Sequence, residues 1–134
     1  MIDDNISAEI RGLLEAYKKG IDNADASALE ALHWADEPEF RLIEDFIAKP
    51  FGAETFREIG DWIRENADPG YLAVEFRELE LFQLCENVVY VVGIVQQSCD
   101  EGPAEVRMTL IFLRREGQWR IIHGHWSDIP EEEE

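Results

Sequence analysis

The sequence predicts an α+β domain in which the helices come first and the sheet comes last. Before Pro69, apolar side chains recur at three- and four-residue spacing, which is typical of amphipathic helices. After Pro69, four long strand-like runs are joined by links of only three or four residues, which indicates antiparallel neighbours. Long strands twist strongly, so we expect a cone in which three N-terminal helices pack on a strongly curved, mostly antiparallel sheet.

The predicted helices lie in three stretches of the first half. Residues 7–22 form the first, with Ser7 as its N-cap and an apolar face made of Ile10, Leu13, Leu14, Tyr17 and Ile21. The segment "ASALEALHW" forms the second, and "EFRLIEDFIAK" is the first strand candidate. The segment "GAETFREIGDWIREN" forms the third helix and ends at "ADPG". Its predicted apolar face consists of Phe56, Ile59, Trp62 and Ile63.

Four runs form the predicted meander, namely "YLAVEFRELELFQL", "NVVYVVGIVQQSC", "AEVRMTLIFLRR" and "QWRIIHGHWS". In the first of them the apolar phase slips near Arg77 and Glu78, which predicts a β-bulge. Gly93, inside the second, also marks a bulge. Cys85 and Cys99 would lie at opposite ends of one strand, roughly 36 Å apart, so we expect no disulfide between them.

Composition narrows the classes of protein to consider. The 134 residues predict a single domain over residues 1–130, followed by a disordered acidic tail over residues 131–134. There is no apolar run long enough to span a bilayer, and the first residues lack a signal-peptide pattern, so we expect a cytoplasmic protein. The net charge of −18 argues against nucleic acid and anionic membranes as partners. It is compatible with a cationic partner, or with a role in solubility alone.

The last strand-like run, "GQWRIIHGHWSDIP", concentrates the chemistry of the chain. His123 and His125 are two residues apart, so they point to one face, in a stripe with Trp119, Ile121 and Ser127. The opposite stripe holds Arg120, Ile122, Gly124 and Trp126. Because both stripes carry apolar groups, we expect both faces to be covered, one by the helices and a cavity and the other by a second subunit. The predicted assembly is a homodimer.

The turn before this strand decides which side chains face each other, and the sequence permits two turns. A two-residue turn at Glu116 and Gly117 places His123 opposite Leu110. A three-residue turn over residues 115–117 places His123 opposite Thr109. We favour the second, because it gathers one polar cluster consisting of Arg107, Thr109, His123, His125 and Ser127.

The carboxyl-terminal quarter of the chain resembles a known superfamily. A helical first half followed by a curved meander that ends in "RMTLIFLRREGQWRIIHGHWSDIP" resembles the nuclear transport factor 2-like domains, also called SnoaL-like or ketosteroid isomerase-like. The last strand is most similar to the subgroup with the association domain of calmodulin-dependent protein kinase two. The matching residues are Thr109, Arg114, Arg115, Glu116, Gly117, Trp119, His123, His125, Ser127 and Pro130.

The resemblance implies a fold more than an activity, since the superfamily contains isomerases, dehydratases, cyclases, transport factors and oligomeric hubs. Leu110 and Trp126 stand where the kinase domain places arginines, so the resemblance implies a more apolar pocket here. The ketosteroid isomerases use a first-helix tyrosine as an oxyanion donor, and Tyr17 is similarly placed. Their carboxylates have no match in register, although an inward Glu44, Asp45 or Glu80 would be a candidate base.

Two function hypotheses follow. The first is a cofactor-independent enzyme that transfers a proton within a small hydrophobic molecule, as an isomerase, dehydratase or cyclase does, with Tyr17, His123 and His125 as candidate catalytic residues. The second is a non-catalytic oligomerisation or ligand-binding module like the kinase association domain. Two imidazoles without a third ligand do not predict a metal site. The predicted ligand-binding residues are Tyr17, Trp34, Trp62, Arg107, Thr109, His123, His125 and Ser127.

Overall fold

A computed structural model describes residues 2–44, 47–99 and 102–129 of the chain. Its three helices and five-stranded sheet confirm the predicted α+β class. The predicted acidic tail over residues 131–134, Pro130 and the candidate base Asp45 lie outside the described residues. Among the helices described, none is both long and apolar enough to cross a membrane. The helices are α1 (Asp4–Asp22), α2 (Ala26–Ala31) and α3 (Ala53–Asn66).

The sheet follows the predicted meander, and the predicted first strand joins it at one edge. Strands β2 (Ala73–Cys85), β3 (Val88–Cys99), β4 (Gly102–Arg115) and β5 (Gln118–Asp128) pair in sequence as antiparallel neighbours. The short strand β1 (Arg41–Ile43) pairs in parallel with β5. The sheet order is therefore β1-β5-β4-β3-β2. Cys85 and Cys99 are both free and exposed, as expected.

Helix α1 begins three residues before the predicted Ser7. Its N-cap is Asp3, whose carboxylate accepts hydrogen bonds from the backbone N–H groups of Asn5 and Ile6. An aspartate here satisfies two of the unpaired N–H groups of the first turn and places negative charge at the positive end of the helix dipole. The predicted Ser7 cap is therefore wrong. Ile10 and Leu14 of this helix are buried in the core, as their spacing predicts.

The two predicted bulge signals, at Arg77 and at Gly93, belong to one feature. The β2–β3 register shifts between Arg77 and Glu80, and Glu78 has a φ of 55°. Gly93 lies on β3 opposite this bulge. A Cβ atom at Gly93 would lie 2.8 Å from the Leu79 Cδ2 atom, so only glycine admits the close approach without displacing Leu79. The bulge bends the long β2 strand, as bulges do.

The turn between β4 and β5 contains two residues. Arg115 pairs with Gln118, and the intervening Glu116 and Gly117 have φ values of 53° and 77°. Positive φ at both central positions defines a type I′ turn, whose twist matches that of a hairpin. The favoured three-residue turn is therefore wrong.

A second bulge, which was not predicted, changes the register further along β5. Phe112 pairs with Ile121, whereas its neighbour Ile111 pairs with His123, so Ile122 is the extra residue. This bulge puts Trp119 and Ile121 on the same face as Gly124 and Trp126, and all four are buried. Each predicted stripe crosses from one face of the sheet to the other at Ile122. The prediction that each stripe lies on a single face is therefore wrong. The inner face of the sheet packs on the helices, and His123 and His125 lie on the outer face.

Candidate functional site

A cavity of about 90 Å³ lies between the helices and the inner face of the sheet near β1 and β5. Most of its wall is apolar, and four side chains bring polar or titratable groups to it. The polar four are Tyr17, Glu30, His33 and Glu44. The apolar lining consists of Ile21, Ala26, Leu29, Leu42, Phe51, Phe56, Ile59, Gly60, Ile63 and Trp126.

Tyr17 reaches the cavity from the middle of α1. Its ring packs 6.0 Å from that of Phe76 and 6.3 Å from that of His33, measured between centroids. Burial raises the pKa of the Tyr17 phenol above its ordinary value, and the negative charge of Glu44 raises it further. The hydroxyl therefore keeps its proton at neutral pH and can donate it in a hydrogen bond.

His33 follows α2 and is almost fully buried. Its Nδ1 atom lies 2.6 Å from the carbonyl oxygen of Leu29. A carbonyl oxygen can only accept, so Nδ1 carries the proton and Nε2 carries the lone pair in the neutral ring. Burial lowers the pKa of His33 to about 4, although the Leu29 hydrogen bond acts in the opposite direction. At neutral pH the imidazole is therefore uncharged.

Glu44 comes directly after β1 and belongs to the wall of the cavity. Leu42 pairs with Gly124 in the parallel ladder and is buried on the inner face. Side chains two residues apart in a strand lie on the same face, so the side chain of Glu44 lies on the inner face as well. The other carboxylate of the wall is Glu30, which lies 2.5 Å from the guanidinium of Arg64. Glu44 thus places a carboxylate near a phenol and an imidazole within an otherwise apolar wall.

Of the predicted ligand-binding residues, the structure places only Tyr17 in this wall. Trp34 donates its indole N–H to the carbonyl oxygen of Leu113 at 2.8 Å, and the Arg120 guanidinium lies 4.7 Å from its ring centre. Trp62 is 47% exposed and contacts Tyr71, with 5.6 Å between the ring centres. Neither tryptophan contributes to the lining of the cavity.

The predicted polar cluster is brought together, but on the outer face of the sheet. His125 pairs with Thr109, and Ser127 pairs with Arg107. His123 is adjacent to them, and its Nδ1 atom donates to the carbonyl oxygen of Arg41 at 2.8 Å. None of the five lines the cavity. Their role in binding a ligand stays a prediction, and it would concern a surface that the helices do not cover.

Three polar residues of the cavity wall, Glu30, His33 and Glu44, were not among the predicted catalytic or ligand-binding residues. His33 could have been found from the spacing of Ala26, Leu29 and His33, which places the histidine on the apolar side of its helix. Glu44 was considered as a base, and its position two residues after the apolar Leu42 was the available signal. A three-residue strand is too short for that alternation to be decisive.

A curved sheet that encloses a small cavity against three helices defines the class of protein as a cone-shaped α+β domain. The family model described as "SnoaL-like domain" matches residues 10–132, and the chain belongs to this family. The resemblance inferred from the last strand is thus confirmed. No curated protein sequence matches the chain.

Solved structures with the same fold have diverse descriptions. An NTF-2 like protein of unknown function from Shewanella oneidensis is 19% identical, with 92% of this chain and 99% of the other covered and a TM-score of 0.77. A candidate ketosteroid isomerase from Parabacteroides distasonis is 15% identical, with 96% and 92% covered and a TM-score of 0.71. The association domain of C. elegans CaMKII is 12% identical, with 92% of each chain covered and a TM-score of 0.68. At these identities the likeness shows the fold alone.

Proposed function

We propose that the cavity binds a small, mostly apolar molecule and that the protein transfers a proton within it without a cofactor. The observation that carries the proposal is the placement of Tyr17, His33 and Glu44 in an otherwise apolar wall. Titratable groups gathered in an apolar cavity are typical of sites for general acid–base chemistry. The volume of about 90 Å³ admits only a few non-hydrogen atoms, so the substrate is small.

Each polar group has a role in this mechanism. Glu44 removes a proton from the carbon next to the substrate carbonyl, and the electron pair of the broken C–H bond moves to the carbonyl oxygen. Tyr17, which keeps its proton, donates a hydrogen bond to the enolate oxygen that forms. The protonated Glu44 then returns the proton to the same carbon or to another carbon of the molecule. His33, which is neutral, positions the substrate by accepting a hydrogen bond.

Deuterium exchange tests this proposal directly. Small ketones, including butanone and cyclopentanone, are incubated in D₂O with the protein, and exchange at the α-carbon is followed by NMR. We expect catalysed exchange that falls about 100-fold or more in Glu44→Gln and about 10- to 100-fold in Tyr17→Phe. Glu80→Gln is the matched control, because Glu80 is an exposed residue on β2 outside the cavity. Exchange no faster than in buffer, or equal loss in Glu80→Gln, would contradict the proposal.

An assembly role is the second candidate, and the outer face of the sheet favours it. Phe82 and Leu84 are 41% and 64% exposed, and Phe82 stacks on Tyr90 at a centroid distance of 4.9 Å. Val92 and Ile111, which also lie on this face, are only half-buried. Exposed apolar surface of this kind is typical of interfaces. The CaMKII association domain that shares the fold is by its name an assembly domain.

Light scattering tests the assembly role. We expect a homodimer formed through the outer face, and a monomer when Val92→Glu places a charge there. Thr55→Glu, on α3, is the control and should leave the dimer intact. A monomeric wild-type protein at micromolar concentration would exclude this second function and leave the cavity proposal untouched.

We also infer that the protein works in the cytoplasm. Cys85 and Cys99 are both exposed and free, which is typical of proteins that are kept in a reducing compartment. Fractionation of the source cells tests the location, and recovery outside the cytoplasmic fraction would contradict it.

A further inference from the structure

We infer that the ligand of this cavity is a small α-hydroxyketone whose hydroxyl group donates a hydrogen bond to the Nε2 atom of His33. The inference deepens the proposed function and rests on it, because it takes the cavity to be the substrate site. The phenol of Tyr17 then donates to the carbonyl oxygen of the same molecule, which is the role that the proposed function gives it.

The Nε2 atom of His33 is an acceptor that borders the cavity. The Nδ1–H of this ring is used by the carbonyl oxygen of Leu29, so Nε2 carries the lone pair. No hydrogen bond reaches Nε2 from the part of the chain that the structure describes. In that part, every fully buried side-chain nitrogen or oxygen has a hydrogen-bond partner. Nε2 is therefore not fully buried, and the open space that His33 lines is the cavity.

The His33 ring offers a ligand only an acceptor at neutral pH. The Leu29 contact of 2.6 Å holds the tautomer, and burial lowers the pKa of His33 to about 4, so the ring is uncharged. A neutral imidazole whose one N–H is already used has no hydrogen to donate to a ligand. A carboxylate, an ether or a plain ketone therefore gains no hydrogen bond from this ring, and the ligand has to bring the hydrogen itself.

A ligand without a donor is at a disadvantage in this cavity. It would exclude water from Nε2 and leave the lone pair unpaired, which is costly for a buried polar group. Sites built around such an acceptor reject analogues that lack the hydroxyl for this reason. A hydroxyl supplies the hydrogen without a charge, which suits a wall that is mostly apolar.

The size of the cavity limits the distance between the hydroxyl and the carbonyl of the ligand. A volume of about 90 Å³ leaves room for only a few non-hydrogen atoms. The rings of Tyr17 and His33 both line this space, and their centroids are 6.3 Å apart. Two polar groups this close are matched by two oxygen atoms on neighbouring carbons, as in an α-hydroxyketone.

Hydroxyacetone and butanone test the inference, because they differ only in a hydroxyl group against a methyl group. Binding at neutral pH is measured by NMR titration, with the indole resonance of Trp126, which lines the cavity, as the reporter. We expect hydroxyacetone to bind at least about threefold more tightly, although butanone is the more apolar of the two. With hydroxyacetone, the ¹⁵N resonance of His33 Nε2 should move towards that of a protonated nitrogen. Butanone should not produce this movement.

His33→Phe removes the acceptor and keeps an aromatic ring beside Phe56, whose centroid lies 4.7 Å from that of His33. The carbonyl oxygen of Leu29 keeps a partner in this variant, because it also accepts from the backbone N–H of Leu32. The variant should prefer butanone. His125→Phe makes the same exchange on the outer face of the sheet and should keep the wild-type preference.

The results separate this inference from the proposed function. If butanone binds as tightly as hydroxyacetone, or if His33→Phe keeps the preference, the hydroxyl inference is wrong and the cavity proposal stands. The same conclusion follows if hydroxyacetone leaves the Nε2 resonance in place, and this measurement decides the question should His33→Phe not fold. If neither ketone binds but ketone exchange is catalysed, the inference is again wrong and the proposed function stands. If neither binds and no exchange is seen, both are wrong.

Discussion

The Nδ1 atom of His33 lies 2.6 Å from the carbonyl oxygen of Leu29, four residues earlier in the chain. This contact fixes one tautomer of a buried imidazole, and burial keeps that imidazole neutral. The same carbonyl oxygen also accepts from the backbone N–H of Leu32 at the end of α2. The bond thus ties His33 to the end of a short helix and defines the hydrogen-bonding character of the cavity.

The first prediction concerns stability against pH. The pKa of His33 is about 4 in the folded protein, against an ordinary value of 6.5, so between these values the unfolded chain binds more protons. Stability contributed by the neutral ring is complete above about pH 6.5 and is lost as the pH falls towards 4. The full contribution is roughly 3 kcal/mol. Urea unfolding across this range measures it.

Two variants isolate His33 from the carboxylates that also titrate in acid. His33→Gln should lose most of the pH dependence between pH 6.5 and 4.5 relative to the wild type, whatever its absolute stability. His125→Gln should retain that dependence, because His125 is exposed on the outer face. If the free energy of unfolding has the same slope against pH in the wild type and in His33→Gln, His33 is not held neutral.

The second prediction concerns the contact between Gly124 and Trp126. A Cβ atom on Gly124 would lie 2.6 Å from Cη2 of the Trp126 ring and 3.1 Å from a methyl group of Leu110. Gly124→Ala should therefore displace the indole towards the cavity and destabilise the fold by about 1–3 kcal/mol. Thermal unfolding and the Trp126 resonance report the two effects. Gly12→Ala is the control, since a Cβ at Gly12 meets nothing within 4 Å, and it should be neutral or stabilising.

The third prediction concerns the type I′ turn of the last hairpin. Glu116 adopts a φ of 53°, a left-handed conformation that asparagine tolerates better than glutamate. Glu116→Asn should raise the free energy of unfolding by roughly 0.5–1 kcal/mol. Gly117→Ala should lower it by a similar or larger amount, because Gly117 has a φ of 77°. If Glu116→Asn destabilises the protein, the turn is not of this type.

The fourth prediction concerns Trp34, which connects the segment after α2 to the β4–β5 hairpin. Its indole N–H donates to the carbonyl oxygen of Leu113. Trp34→Phe keeps a ring beside Arg120 but removes the donor, and should cost about 1 kcal/mol, as the loss of a single hydrogen bond usually does. Chemical denaturation measures the change. Small-probe binding in the cavity should stay at the wild-type level, because Trp34 does not line it.

The sequence determined the secondary structure and its order, because these depend on local periodicity. The three helices, the antiparallel meander and the bulge near Arg77 were all predicted from the spacing of apolar residues. The last strand also indicated the SnoaL-like family, which the family model confirms.

The tertiary structure decided which residues share the cavity. The bulged residue Ile122 lies between Ile121 and His123, so neither glycine nor proline marks it, yet the bulge transfers His123 and His125 to the outer face. The reason is packing: Trp119 and Trp126 are both buried on the inner face, and their odd spacing of seven residues requires one extra residue between them. A sequence pattern that alternates every two residues does not reveal this extra residue. Glu44 and His33 are likewise close to Tyr17 because β1 pairs with β5 and α2 packs against α1, and these contacts belong to the tertiary structure.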